Sequence, residues 1–167
     1  MDNNFSKDNL LVEVAWEVCN QVGGIYTVIR SKAPEMKRNW DENYCLIGPY
    51  FHHKANFEFE PTDDYSDVYG QAVLKLREHG IEVAYGHWLV SGKPKVVLIN
   101  PFFVYWKLGD IKYQLWERHD IPSEYADDLQ SQVIAFGYLL KEYLKEVCNL
   151  KHPEQKVIGH FHEWMVG

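Results

Sequence analysis

Two short stretches of this 167-residue chain carry the residue types that chemistry needs. Gln21-Val22-Gly23-Gly24 stands between an apolar run and an amphipathic one. Adjacent glycines let the backbone approach a phosphate or sugar closely, and a helix starting there offers unpaired N–H donors and positive potential. The same pair also suits a tight strand-to-helix turn with no ligand, and it is not the GxGxxG dinucleotide fingerprint. His160-Phe161-His162-Glu163-Trp164 ends the last apolar run. Alternation along a strand puts His160 and His162 on one side and Phe161 on the other. A neutral histidine at that place suits a hydrogen bond to a sugar hydroxyl; a core histidine satisfied by backbone is the alternative. As a metal site the motif is poor, because the acidic residue follows at once and no third ligand stands at a suitable spacing.

Both stretches act together only if the strands before them end at the same edge of a sheet. Leu10 to Trp16 reads as the first strand, with Val12, Val14 and Trp16 on one face and Leu11 and Ala15 keeping the other partly apolar. A strand apolar on both sides belongs in a parallel sheet covered by helices. A helix from Ile25 to about Arg38 and a strand from Tyr44 to Gly48 follow, and His52 to Asp67 reads as an irregular excursion. Within it, Asp63, Asp64 and Asp67 suit a solvated loop. Val68 to His79 is helical with Gly80 as its stop. Ile81 to Val90 and Lys95 to Asn100, joined by Ser91-Gly92-Lys93-Pro94, form a hairpin. Pro101 to Glu117 is aromatic and ambiguous between helical turns and loop. Pro122-Ser123 starts the clearest helix, on which Leu129, Val133, Phe136, Leu140, Leu144 and Val147 recur at steps of three and four. Lys156 to His162 is a buried strand. The expectation is an α/β fold: an open, mostly parallel Rossmann-like sheet with an inserted β-hairpin spanning residues 10–167, preceded by a flexible tail at residues 1–9.

Composition narrows the function. A net charge of −7 without a basic stripe argues against nucleic acid. No apolar run approaches the roughly 18 residues of a membrane span, and the polar start has no signal-peptide core. Three cysteines without CxxC spacing suit buried free thiols in a reducing cytoplasm. The remaining histidines, from His52-His53 to His152, show no common pattern and read as surface or structural. The chain stops where a helix would cover its last strand, which predicts a truncated segment with an uncovered apolar face and self-association through it.

The ordered motifs also resemble a known family. "VEVAWEVCNQVGGIYTVIRSKA" (Val12 to Ala33) and "YCLIGPY" (Tyr44 to Tyr50) are similar to the opening of the eukaryotic-type glycogen (starch) synthases, glycosyltransferase family 3. The likeness continues through "GHWLVSGKPKVVLIN", "GDIKYQLWE", "IAFGYLLKEYL" and "GHFHEW", and so runs from about Leu10 to the end. The resemblance implies the incomplete N-terminal domain of a GT-B fold, in which two Rossmann-like domains face a cleft. It implies retaining transfer of glucose from UDP-glucose to the non-reducing end of an α-1,4-glucan, in the cytoplasm, with no metal or other cofactor. By motif matching, Gly23 and Gly24 lie against the donor's phosphates and sugar, His162 is the catalytic residue holding a hydroxyl of the transferred glucose, and Glu163 and Trp164 shape that pocket. The family usually has a basic residue where this chain has Gln21, and a neutral amide pairs less strongly with phosphate. The base site and the cations that neutralise the leaving diphosphate belong to the C-terminal domain, so the chain alone is expected to be inactive. The alternative is a non-catalytic module gripping glucan or a synthase, with Trp40, Trp106 and Trp116 as its contact surface. A sucrose or trehalose-phosphate synthase would share the donor motifs, but "GHWLVSGKPKVVLIN" and "FHEW" fit family 3 better.

Overall fold

The computed structural model describes residues 5–55 and 57–166. The strands are β1 Leu10–Val14, β2 Tyr44–Pro49, β3 Phe59–Pro61, β4 Val83–Trp88, β5 Lys95–Ile99 and β6 Val157–Phe161. The helices are α1 Phe5–Asp8, α2 Gly24–Trp40, α3 His52–Ala55, α4 Val68–Glu78, α5 Leu108–His119 and α6 Asp128–Leu150. One six-stranded sheet has the order β3-β4-β5-β2-β1-β6. β5, β2, β1 and β6 run parallel, while β4 joins β5 as the antiparallel arm of the expected hairpin.

Every residue of β1 is buried. Leu10, Val12, Val14 and Trp16 pack under α4 and α6, while Leu11 and Ala15 pack under α2 with Tyr26 and Ile29. The two-sided apolar reading of this strand therefore matches a sheet covered on both faces. Gly80 closes α4 in the left-handed region, at φ 76, as its place after the helix predicts.

Several expectations need correction. α6 begins at Asp128, not at Pro122-Ser123, because Asp127 and Gln130 form a reciprocal capping box that satisfies the helix start. The buried face of α6 is accordingly built on Ala135, Phe136, Leu139, Leu140, Tyr143 and Val147, and Leu129 is exposed. Among the described residues β6 is an edge strand rather than a buried one: only β1 pairs with it, and Phe161 is 43% exposed. The stretch from His52 to Asp67 contains α3 and β3, the latter paired with β4. Asp67 is no loose acidic residue, since it caps α4 through the Gly70 N–H and accepts from the Tyr85 hydroxyl and the Lys95 ammonium. Cys19 and Cys45 are buried free thiols, but Cys148 is exposed on α6. Of the residues read as a tail, Phe5–Asp8 is a helical turn whose Ser6 and Lys7 carbonyls accept from Asn43; residues 1–4 lie outside the described residues. Among the described residues no helix is long and apolar enough to cross a membrane.

Candidate functional site

The loops after β1 and β6 meet at one edge of the sheet. β1 and β6 are neighbours in parallel register, with Glu13 opposite His160 and Val14 opposite Phe161. The ladder extends one rung further, because the His162 N–H donates to the Val14 carbonyl at 3.0 Å. The two stretches singled out by sequence thus emerge side by side. His160 and His162 share a face, their ring centres 4.3 Å apart, and Phe161 turns to the opposite face against α6.

What sequence reading missed is the residue between them. Glu13 is fully buried on β1. Its carboxylate accepts from the Lys32 ammonium of α2 and the Tyr44 hydroxyl of β2, and its Oε1 lies 2.5 Å from His162 Nε2. Burial by itself would raise this carboxyl's pKa. The hydrogen bonds from Lys32, Tyr44 and His162, with the Lys32 charge, outweigh burial and hold it below the ordinary 4.5. Burial, reinforced by the Glu13 charge, pushes the Tyr44 phenol well up. Burial, together with the charges of His162 and Lys32, lowers His160. Glu13, His160 and His162 offer ligand atoms within 4.8 Å of one another, but the Lys32 ammonium sits on the same Glu13 oxygen, so the cluster already contains a cation.

A depressed carboxyl makes stability depend on pH. The ionised Glu13 stabilises the fold fully above about pH 4.5 and loses that contribution as pH falls through its lower folded value. Urea midpoints measured from pH 7 down to about pH 3 should fall in this acid range. In Glu13→Gln with Lys32→Met, which removes the carboxyl without stranding the ammonium, the part of the slope owed to this group should vanish; an unchanged acid slope would mean that other carboxylates set it.

A second buried carboxylate organises the glycine turn. Glu17 Oε2 accepts the backbone N–H of Gly23 at 2.7 Å, of Tyr26 at 3.1 Å and of Val22 at 3.4 Å. The start of α2 is therefore partly satisfied from within, and donors expected to face a phosphate are shared with Glu17. A Cβ on Gly23 would stand 3.2 Å from the Glu17 carboxylate, whereas one on Gly24 would meet nothing within 4 Å. Gly24 thus borders open space. Gly48 of β2 is required for another reason: a Cβ there would lie 2.8 Å from Val18 Cβ, so the loop carrying Glu17 presses directly on β2.

Gln21 is exposed beside this turn. Its neighbour Asn20 is buried and accepts from the Lys54 ammonium of α3 at 2.7 Å, which puts a cation one residue from the missing basic side chain. On the other loop, Glu163 holds a left-handed backbone at φ 64 and Trp164 is 60% exposed. Cys19 before the glycine turn is left-handed too, at φ 51. Such conformations cost a non-glycine residue about 1–3 kcal/mol and recur at functional sites. Both loops at this edge carry one. Of the residues expected at the site, Gln21, Gly23, Gly24, His162, Glu163 and Trp164 all lie on these two adjoining loops.

A parallel α/β sheet whose first and last strands open into a glycine turn and a histidine held by a buried carboxylate has the layout of a ligand-binding edge in an open α/β fold. The model of the family described as glycogen synthase matches residues 13–167, and the chain belongs to that family. It is 43% identical over 159 residues to the liver glycogen [starch] synthase of Homo sapiens, covering 95% of this chain and 22% of that protein. It is 40% identical over 162 residues to the glycogen [starch] synthase of Neurospora crassa, covering 96% and 23%. Against isoform 1 of the Saccharomyces cerevisiae enzyme it is 38% identical over 171 residues, covering 96% and 24%. The chain thus spans less than a quarter of the length of these relatives.

Proposed function

We propose that this chain is the donor-facing portion of the N-terminal domain of a cytoplasmic GT-B glucosyltransferase, one that transfers glucose from UDP-glucose to the non-reducing end of an α-1,4-glucan with retention. The observation that carries this reading is the histidine–carboxylate pair, His162 with Glu13, beside the open space at Gly24 in a chain of the glycogen synthase family. His162 holds a hydroxyl of the transferred glucose, Gly23 and Gly24 lie against the donor, and Glu163 and Trp164 shape the pocket. Because three N–H groups of the glycine turn already bind Glu17, the diphosphate draws its charge compensation mainly from cations, Lys54 among them and others in a C-terminal domain.

Gly24→Ala tests the donor's place. The added methyl meets nothing in the free protein, so the fold should keep its thermal midpoint. If the donor fills that space, the KM for UDP-glucose in a protein completed by its C-terminal domain should rise about tenfold or more, the size of effect expected when a methyl overfills a packed contact. An unchanged KM would move the donor away from this turn.

A second reading, a non-catalytic glucan-binding module, is favoured by the aromatic surface around α5. Trp106 is 83% exposed, and half-exposed Tyr113 and Trp116 line a hollow of about 450 Å³ with Pro122; Trp40, by contrast, packs on the core. Retention of the chain on immobilised glycogen, lost in Trp116→Ala, would support it, and elution in the void would exclude it. We also propose that the isolated chain self-associates through the groove of about 670 Å³ between α6 and the loop after β6, where Leu140, Leu144, Phe161, Met165 and Val166 line apolar surface. Sedimentation should show the weight-average mass rising with concentration; a monomer throughout would show that this face stays single.

A further inference from the structure

We propose that Glu13 is the positioning residue of the site, fixing the His162 ring as its Nε2–H tautomer so that the Nδ1 lone pair is the acceptor offered to a hydroxyl of the transferred sugar. This rests on the reading of His162 as a sugar-hydroxyl ligand. A carboxylate only accepts, so the 2.5 Å approach of His162 Nε2 to Glu13 Oε1 places the proton on Nε2. In the neutral ring the other nitrogen is then an acceptor without a proton.

Three elements enforce this arrangement. The His162 backbone is pinned by its N–H bond to Val14, and the Glu13 carboxylate is held from β2 by Tyr44 and from α2 by Lys32. His160 of β6 stands further off, its Nδ1 at 3.8 Å from the same Glu13 oxygen. Lys32 has a distinct task. Its ammonium balances Glu13 locally, so the carboxylate can hold His162 by hydrogen bonding without also demanding a second positive charge beside it. A ring so held presents one acceptor in one orientation, which is what selecting a hydroxyl requires.

The tautomer is read directly by two-dimensional NMR of the chain with 15N-labelled histidine, at about pH 8.5, roughly two units above the ordinary imidazole value. The expected spectrum has His162 Nε2 in the pyrrole-like range and Nδ1 in the pyridine-like range. The reverse pattern overturns the proposal. Because Glu13→Gln alone strands Lys32 and can cost folding, the decisive variant is Glu13→Gln with Lys32→Met, which removes both charges together. It should give a mixture of tautomers and, in the completed transferase, lower kcat about tenfold with a smaller change in KM. An unshifted tautomer or undiminished kcat in that variant overturns the role of Glu13. If His162→Ala transfers glucose normally, the reading of His162 fails instead, and the tautomer measurement still decides what Glu13 does.

Discussion

Replacing His162 with alanine should lower kcat/KM for glucose transfer about a hundredfold in a protein completed by its C-terminal domain, while leaving the fold intact. The expectation follows from the local structure. The His162 backbone bond to Val14 does not depend on its side chain, and Glu13 keeps Lys32 and Tyr44 as partners when the ring is gone. Stability should therefore fall by about 1.5–3 kcal/mol, the net worth of a hydrogen bond to a charged group. Catalysis should suffer too, because a mislocated sugar loses the alignment that makes reaction effectively intramolecular, and small misplacements cost about 10²-fold. Activity within twofold of wild type, with the glycine turn still required, would show that the sugar is held by other groups.

The largest effect on stability should come from Lys32→Met. It removes the lysine ammonium from the hydrogen-bond partners of the buried Glu13 carboxylate. Breaking a fully buried pair costs about 3–5 kcal/mol. The Lys32 side chain is 28% exposed, so solvent screens part of the interaction, and a loss of about 2–3 kcal/mol is expected. The deficit should narrow toward acid, because a carboxyl deprived of its cation takes up a proton more readily. Urea midpoints at neutral and acid pH measure both. A loss below about 0.5 kcal/mol, the range of ordinary surface substitutions, would mean that Tyr44 and His162 suffice.

The repeating parts of the fold were legible because their signals are local. The two-sided apolar run of β1, the glycine after α4 and the four-residue link of the β4–β5 hairpin each state their own role. Sheet order is not local. Nothing within β5 says that it lies beside β2 in the middle of the sheet, and nothing within β6 says that only β1 will pair with it. The α6 start has a local signal that overrides the Pro-Ser pair ahead of it: Asp127 with Gln130 three residues later is a capping box.

The site was half legible for a similar reason. Glycines and histidines advertise themselves by type, whereas Glu13 and Glu17 look like ordinary charges. Yet Glu13 interrupts a strand otherwise apolar on both sides, and a strand buried on both faces has no solvent side on which to leave a carboxylate. That contradiction was readable. Its resolution was not, because Lys32, Tyr44 and His162 come from three other parts of the chain and only the folded sheet brings them together. The same holds for Glu17, whose capping of the turn at Gly23 depends on a loop wedged against Gly48.

The edge between the β1 and β6 loops is proposed to hold the sugar donor. The most direct measurement is a structure, with UDP-glucose bound, of a protein that carries this chain together with its C-terminal domain. His162 Nδ1 should lie within about 3 Å of a glucosyl hydroxyl, with the donor in van der Waals contact with Gly24. A donor bound without touching residues 21–24 or 160–164 would contradict it.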